Sequence, residues 1–253
     1  MPYTKSYHSM ATYKNGINGP FKGKVGSVVG SSWKGIDYLK GLPKKSTKPV
    51  TEKTKATRSS FAFVHKWLNP IQELVKIGFA NYHPHMSGRN AALSYNLTKA
   101  LIRRGDDFEI DYPVALFSYG KLPGVAGLNI NMKDAQTLLI SWDPKSTGGD
   151  TSPSDALMSF VYCPELFTAD ARVGQASRNA GQAELLLPGN FTNKRIEVQI
   201  AFKSIINDGV STSQYAGCLR LDLAKPENGT LDSETAASYC TPVSIGNGFL
   251  LGR

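Results

Sequence analysis

Near residue 108 the spacing of apolar residues changes, and that change limits the chain to a helical part followed by a β-rich part. Before it, Phe61, Val64, Leu68, Ile71 and Val75 recur three or four residues apart, which places them on one face of a helix. Asn69-Pro70 falls inside this run. Asn is a good N-cap and Pro fits the first helical position, so two helices or a kink are expected there. A further helix is predicted from Ser87 to Arg104, with Leu93, Leu97 and Leu101 on one stripe and Gly105 to end it. Beyond the change stand short β-branched or aromatic runs at Ile110–Phe117, Thr137–Trp142, Leu157–Cys163, Ala183–Leu187, Ile196–Phe202 and Tyr215–Leu221, separated by Gly, Pro, Asp and Asn. Short strands at such intervals read as an antiparallel β-sandwich. Ile196 to Phe202 alternates apolar and polar residues, which predicts one face turned inward and one in water.

Upstream of the helices the chain is dense in glycine: Gly16, Gly19, Gly23, Gly26, Gly30, Gly35 and Gly41. Apolar residues stand between them, and the pattern predicts a β-hairpin turning near Gly30-Ser31-Ser32. A lone hairpin is marginal in water, so these strands are expected to lie on something else, the sandwich or another copy. Phe21, Val25, Val28, Trp33, Ile36 and Tyr38 are the candidate self-association residues. The expected organisation is an extension over 1–12, a basic Gly-rich arm and connector over 13–58, and a helical segment over 59–105. A sandwich over 106–223 and a tail over 224–253 follow. The fold class is α+β.

Charge divides the chain unevenly. Residues 1–105 hold 18 Lys and Arg against 3 Asp and Glu, whereas residues 106–253 hold 11 against 17. A front so basic is expected to face something anionic: nucleic acid, an acidic partner, or the acidic half of a neighbouring copy. Lys22, Lys24, Lys34, Lys44, Lys45, Lys48 and Arg58 are the candidate polyanion-binding residues, and aromatics interleaved with them suit stacking on bases. No stretch of about 18 apolar residues exists, so no membrane span is expected. The residues after Met1 lack the apolar core of a secretory signal, so the expected location is the cytoplasm or an assembled particle.

The catalytic and metal motifs that these residues approach are incomplete. Gly23-Lys24 has Asn18 where a phosphate loop needs its first glycine and Val25 where it needs a hydroxyl. His83-Pro84-His85 offers two imidazoles with no acidic or thiol ligand nearby. There is no G-x-S-x-G, and the acidic pairs Asp106-Asp107 and Glu109/Asp111 sit at a helix-to-strand boundary, where carboxylates are usually solvated. The expectation is a non-enzymatic chain with no metal, cofactor or small-molecule substrate. Cys163, Cys218 and Cys240 are far apart and odd in number, which reads as free thiols.

Leu139-Ile140-Ser141-Trp142-Asp143-Pro144 resembles the early strand of a fibronectin type III domain with its buried Trp. Glu184–Gly189, Ile196–Phe202 and Asn207–Ser213 resemble that fold's last strands and the loop between the final two, although Ile196 or Val198 stands where its penultimate strand carries Tyr. Asn15–Gly26, Trp33-Lys34-Gly35, Phe61–Phe79 and Ser213–Gly217 resemble an uncharacterised bacterial family of unknown function over about residues 10–217. Lys48-Pro49-Val50-Thr51 and Arg58-Ser59-Ser60-Phe61 are similar to the connector and helix of small prophage-associated proteins. The last resemblance implies a particle or filament component. Together these readings point to a homo-oligomer or homopolymer, with nucleic-acid binding through the basic front as the alternative.

Overall fold

The computed structural model describes residues 11–12, 19, 21–33, 35–42, 49–105, 107–145, 148 and 150–221. The chain divides into two compact units, Met1–Thr51 and Glu52–Arg253, and combines helices with antiparallel sheets in an α+β fold.

The first unit holds four short strands: β1 (Ala11–Thr12), β2 (Gly23–Val25), β3 (Val28–Trp33) and β4 (Ile36–Gly41). They form one antiparallel sheet in the order β1-β4-β3-β2. The expected turn at Gly30-Ser31-Ser32 is therefore corrected, since β3 runs straight through it. The reversals fall instead at Gly26 and Gly35, with φ of 56° and 78°, where glycine meets no steric cost. Gly30 serves close approach: a Cβ there would stand 2.1 Å from the Phe21 carbonyl oxygen and 2.8 Å from its ring. A strand position was mistaken for a turn because glycine marks both.

In the second unit α1 spans Glu52–Leu68, and Asn69-Pro70 starts a single 3-10 turn before α2 (Gln72–Gly78). Only the C-terminal part of α1 is buried, through Val64, Trp67 and Leu68. Helix α3 covers Gly88–Lys99, and the Ser87 hydroxyl accepts from the Asn90 N–H at 3.3 Å as its N-cap. The helix stops short of the expected Arg104. Leu101–Arg104 forms β5 and pairs with β6 (Asp107–Ile110) around Gly105. Pairing with a second strand outweighs helix propensity there.

The remaining strands are β7 (Asn129–Met132), β8 (Thr137–Ser141), β9 (Ala156–Cys163), β10 (Thr168–Ser177), β11 (Gln182–Leu186), β12 (Arg195–Lys203) and β13 (Gln214–Arg220). They make a three-stranded sheet, β11-β8-β7, and a four-stranded sheet, β10-β9-β12-β13. One core lies between the two sheets and includes Leu138, Ile140, Trp142, Val161, Val198 and Ile200. A second core packs Trp67, Leu74, Val75 and Phe79 of the helices against Phe160, Tyr162 and Ala201 of the four-stranded sheet. The result is three layers: helices, four strands, three strands.

This layering overturns two expectations. Ile110–Phe117 is not a strand past Ile110. Asn96, fully buried on α3, donates through Nδ2 to the Leu116 carbonyl at 2.8 Å and accepts the Leu116 N–H at 2.9 Å, binding that stretch to the helix. Nor does β12 have a wet face, since every residue from Ile196 to Phe202 is buried. The helical layer covers the side that alternation assigned to water, so its polar residues take internal partners. Gln199 Nε2 donates to the carbonyls of Tyr112 (2.6 Å) and Ala115 (3.0 Å), and Tyr215 donates to Glu197 Oε2 at 2.6 Å.

A buried ion pair locks one end of the sandwich. Arg178 and Asp155 are both 0% exposed, with Nε to Oδ2 at 3.1 Å. The two other guanidinium nitrogens donate to the carbonyls of Gly124 (3.0 Å) and Pro123 (2.9 Å), and the group lies 4.4 Å from the Phe202 ring centroid. Trp142 Nε1 donates to the Arg178 carbonyl at 2.8 Å. Cys163 is a buried free thiol, as the spacing suggested, but Cys218 is disulfide-bonded and corrects the reading of three free thiols. Cys240 lies outside the described residues. Among the described residues no helix is long and apolar enough to cross a membrane.

Candidate functional site

Directly opposed residues of an antiparallel sheet share a face, so the register of the N-terminal sheet sorts its side chains. Val25 opposes Val28, Gly23 opposes Gly30 and Gly30 opposes Leu39, which makes one face. Phe21 lies over Gly30 on that side. Lys24 opposes Val29, Val29 opposes Lys40, Ser31 opposes Tyr38 and Trp33 opposes Ile36, which makes the other. The six candidate self-association residues are thus split. Trp33, Ile36 and Tyr38 stand together, whereas Val25, Val28 and Phe21 stand on the opposite side.

Among the described residues neither face has a core. Val25 is 59% exposed, Trp33 50% and Ile36 48%, and Phe21 is exposed as well. Val28 and Tyr38 are half-buried. Among the described residues of this unit only Gly30, which has no side chain, is buried. The backbone, by contrast, is largely paired. β3 and β4 are each bonded on both sides, and the outer strands have only two and three residues. An open edge inviting a further strand is therefore the lesser feature, and the exposed apolar faces are the greater.

The candidate polyanion-binding residues are scattered. Lys24 lies on the Trp33 face, Lys22 is exposed just before β2, and Arg58 is exposed on α1 of the second unit. Lys34, Lys44, Lys45 and Lys48 lie outside the described residues. Lys40 joins Lys24 on the Trp33 face, with its ammonium 6.0 Å from the Tyr38 ring centroid. The two histidines of His83-Pro84-His85 are exposed with ring centroids 5.8 Å apart. Among the described residues no group of three or more His, Cys, Asp or Glu gathers in metal-binding array.

Sequence reasoning missed one feature entirely. Where α1, β6 and β9 meet, a cavity of about 160 Å³ is walled by Phe63, Trp67, Phe108, Tyr112, Tyr162 and Phe167. Burial pushes the Tyr112 and Tyr162 phenols well above the ordinary tyrosine range, so both stay protonated. Arg195 and Glu109 stand at its rim. Arg195 Nε approaches Glu197 Oε1 to 2.5 Å as an ion pair, without the alignment of a hydrogen bond. Burial raises the Glu197 carboxyl, opposed by the Tyr215 hydrogen bond and the Arg195 charge.

The model of a family of unknown function, DUF6266, matches residues 20–217. No curated protein matches the chain.

Proposed function

The chain belongs to this family of unknown function, and from that premise we propose that it is a non-enzymatic structural protein whose N-terminal sheet is completed by a second copy of the chain. The observation that carries the reading is a four-stranded sheet with apolar side chains exposed on both faces and none buried among its described residues. Sheets of this size need a hydrophobic face covered to be stable. Exposed aromatic and β-branched side chains at Phe21, Val25, Trp33 and Ile36 supply about the right chemistry for an interface core. Charge favours a copy of the same chain as the cover. Residues 1–51, the unit that holds the sheet, carry 9 basic residues against 1 acidic, so acidic groups on a second copy attract it. Such heterologous contacts close into rings or extend into filaments, which fits a particle or filament component. The strand orders β11-β8-β7 and β10-β9-β12-β13 support taking the sandwich as fibronectin III-like, a scaffold without chemistry of its own.

Light scattering across a concentration series tests this. Mass is expected to rise with concentration at low salt and to fall back as salt is added. A monomer at every concentration in low salt contradicts it.

A second reading is favoured by the row Lys24-Val29-Lys40, which shares its face with Trp33 and Tyr38. Basic groups flanking exposed rings suit sequence-independent contact with nucleic acid. That reading expects retention of single-stranded DNA or RNA that weakens steeply with salt. Absence of retention at low salt removes it.

A further inference from the structure

We propose that the aromatic cavity between α1, β6 and β9 is a binding site for a small, uncharged, single-ring aromatic compound carrying one hydrogen-bonding oxygen. Its volume, about 160 Å³, is close to that of engineered cavities which hold benzene, roughly 150 Å³. The rings around it are not stacked into a closed slab. Phe63 meets Phe167 edge-on at 89°, Trp67 meets Tyr162 at 63°, and Phe63 tilts 36° from Phe108. Edges and faces are both offered, and a guest ring is held best by such a mixture.

Two further observations mark this as more than a packing defect. Trp67 and Tyr162 line the cavity at 1% exposure each, and Trp67 Nε1 and the Tyr162 hydroxyl are buried with no hydrogen-bond partner. Buried donors are nearly always satisfied, so unsatisfied ones on two of the lining residues leave a demand for an acceptor. Phe167 holds φ at 52°, a left-handed conformation that favours glycine. Strain of that kind gathers at functional positions, and here it sets a ring against Phe63.

Charge narrows the guest. Glu109 is engaged by Arg104 at 2.9 Å, and Glu197 by Arg195 and Tyr215, so no free carboxylate waits for an ammonium ion. Arg195 is likewise paired with Glu197 through Nε, and a carboxylate guest would have to give up its water to enter a mainly apolar wall. A sugar ring is excluded by its many hydroxyls, for which this mainly apolar wall has too few partners.

The test is ligand-observed NMR titration of the whole chain with phenol, benzoate and benzylamine. Phenol is expected to bind saturably, about ten-fold or more tighter than either charged ring. Tyr162→Phe keeps the ring and removes the hydroxyl, and should weaken phenol about three- to ten-fold. Phe167→Gly suits the left-handed backbone, so it should fold, yet it removes one wall and should abolish binding. The proposal is overturned by no saturable phenol binding up to ~20 mM, by equal binding of the charged rings, or by phenol binding that Phe167→Gly leaves unchanged.

Discussion

The described residues form two four-stranded antiparallel sheets that are opposites in how their faces are used. The sheet β10-β9-β12-β13 is covered on both sides, by the helices and by β11-β8-β7, and β12 has no exposed residue between Ile196 and Phe202. The sheet β1-β4-β3-β2 buries no side chain among its described residues. In both, the two inner strands are paired on both sides, so hydrogen bonding does not distinguish them. Side-chain burial does, and burial is the term that stabilises a sheet on its own. One sheet is covered within its unit, and the other leaves its large apolar side chains exposed.

The contrast breaks most sharply where the covered sheet holds charge. Arg178→Ala would leave Asp155 buried and unpaired, and is expected to cost about 3–5 kcal/mol in chemical denaturation, enough to threaten folding. Ile200→Ala, at a fully buried position between the sheets, should cost about 2–5 kcal/mol. Gln199→Ala, on the helix-facing side, strands the carbonyls of Tyr112 and Ala115 and should cost about 1–3 kcal/mol. A Gln199→Ala variant of wild-type stability would mean that this face is wet after all. Ile36→Ala, the same kind of truncation on the uncovered sheet, should change monomer stability by no more than about 0.5 kcal/mol, while lowering the mass seen by light scattering. If Ile36→Ala destabilises a dilute monomer as much as Ile200→Ala does, the two sheets are alike and the comparison fails.

A pH titration sharpens the same point at smaller scale. Burial raises the Glu197 carboxyl above its unfolded value, so the folded state holds its proton more firmly than the unfolded one. The folded state therefore loses stability as pH climbs from the ordinary glutamate range through the raised value. Glu197→Gln should flatten that fall and keep the Tyr215 hydrogen bond. An unchanged pH profile in the variant would show that Glu197 is not the group responsible.

How far the sequence revealed these features depended on whether local pattern and tertiary cover agreed. The helix break at Asn69-Pro70 and the Ser87 start were legible, because capping and proline geometry act within a few residues. The strands β8, β9, β11, β12 and β13 were legible from β-branched and aromatic runs. β10 was missed: Thr-Ala-Asp-Ala-Arg-Val-Gly-Gln-Ala-Ser has little strand propensity and is held by pairing with β9. Alternation in β12 was seen but misread, since Glu197 and Gln199 look like surface residues until a helical layer is placed over them. Of the six candidate self-association residues, Phe21, Val25, Trp33 and Ile36 are exposed and Val28 and Tyr38 half-buried, and their division between two faces needed the register of β3 against β4. The aromatic cavity was invisible, because Phe63, Phe108, Tyr162 and Phe167 are distant in sequence and meet only once the layers have packed.

The most direct measurement is hydrogen exchange of the β3 and β4 amides, residues Val28–Trp33 and Ile36–Gly41, at low and high protein concentration. Cover supplied by a second copy predicts weak protection when dilute and markedly stronger protection when concentrated, with β12 protected equally in both. Strong protection of β3 and β4 that does not change with concentration would contradict it.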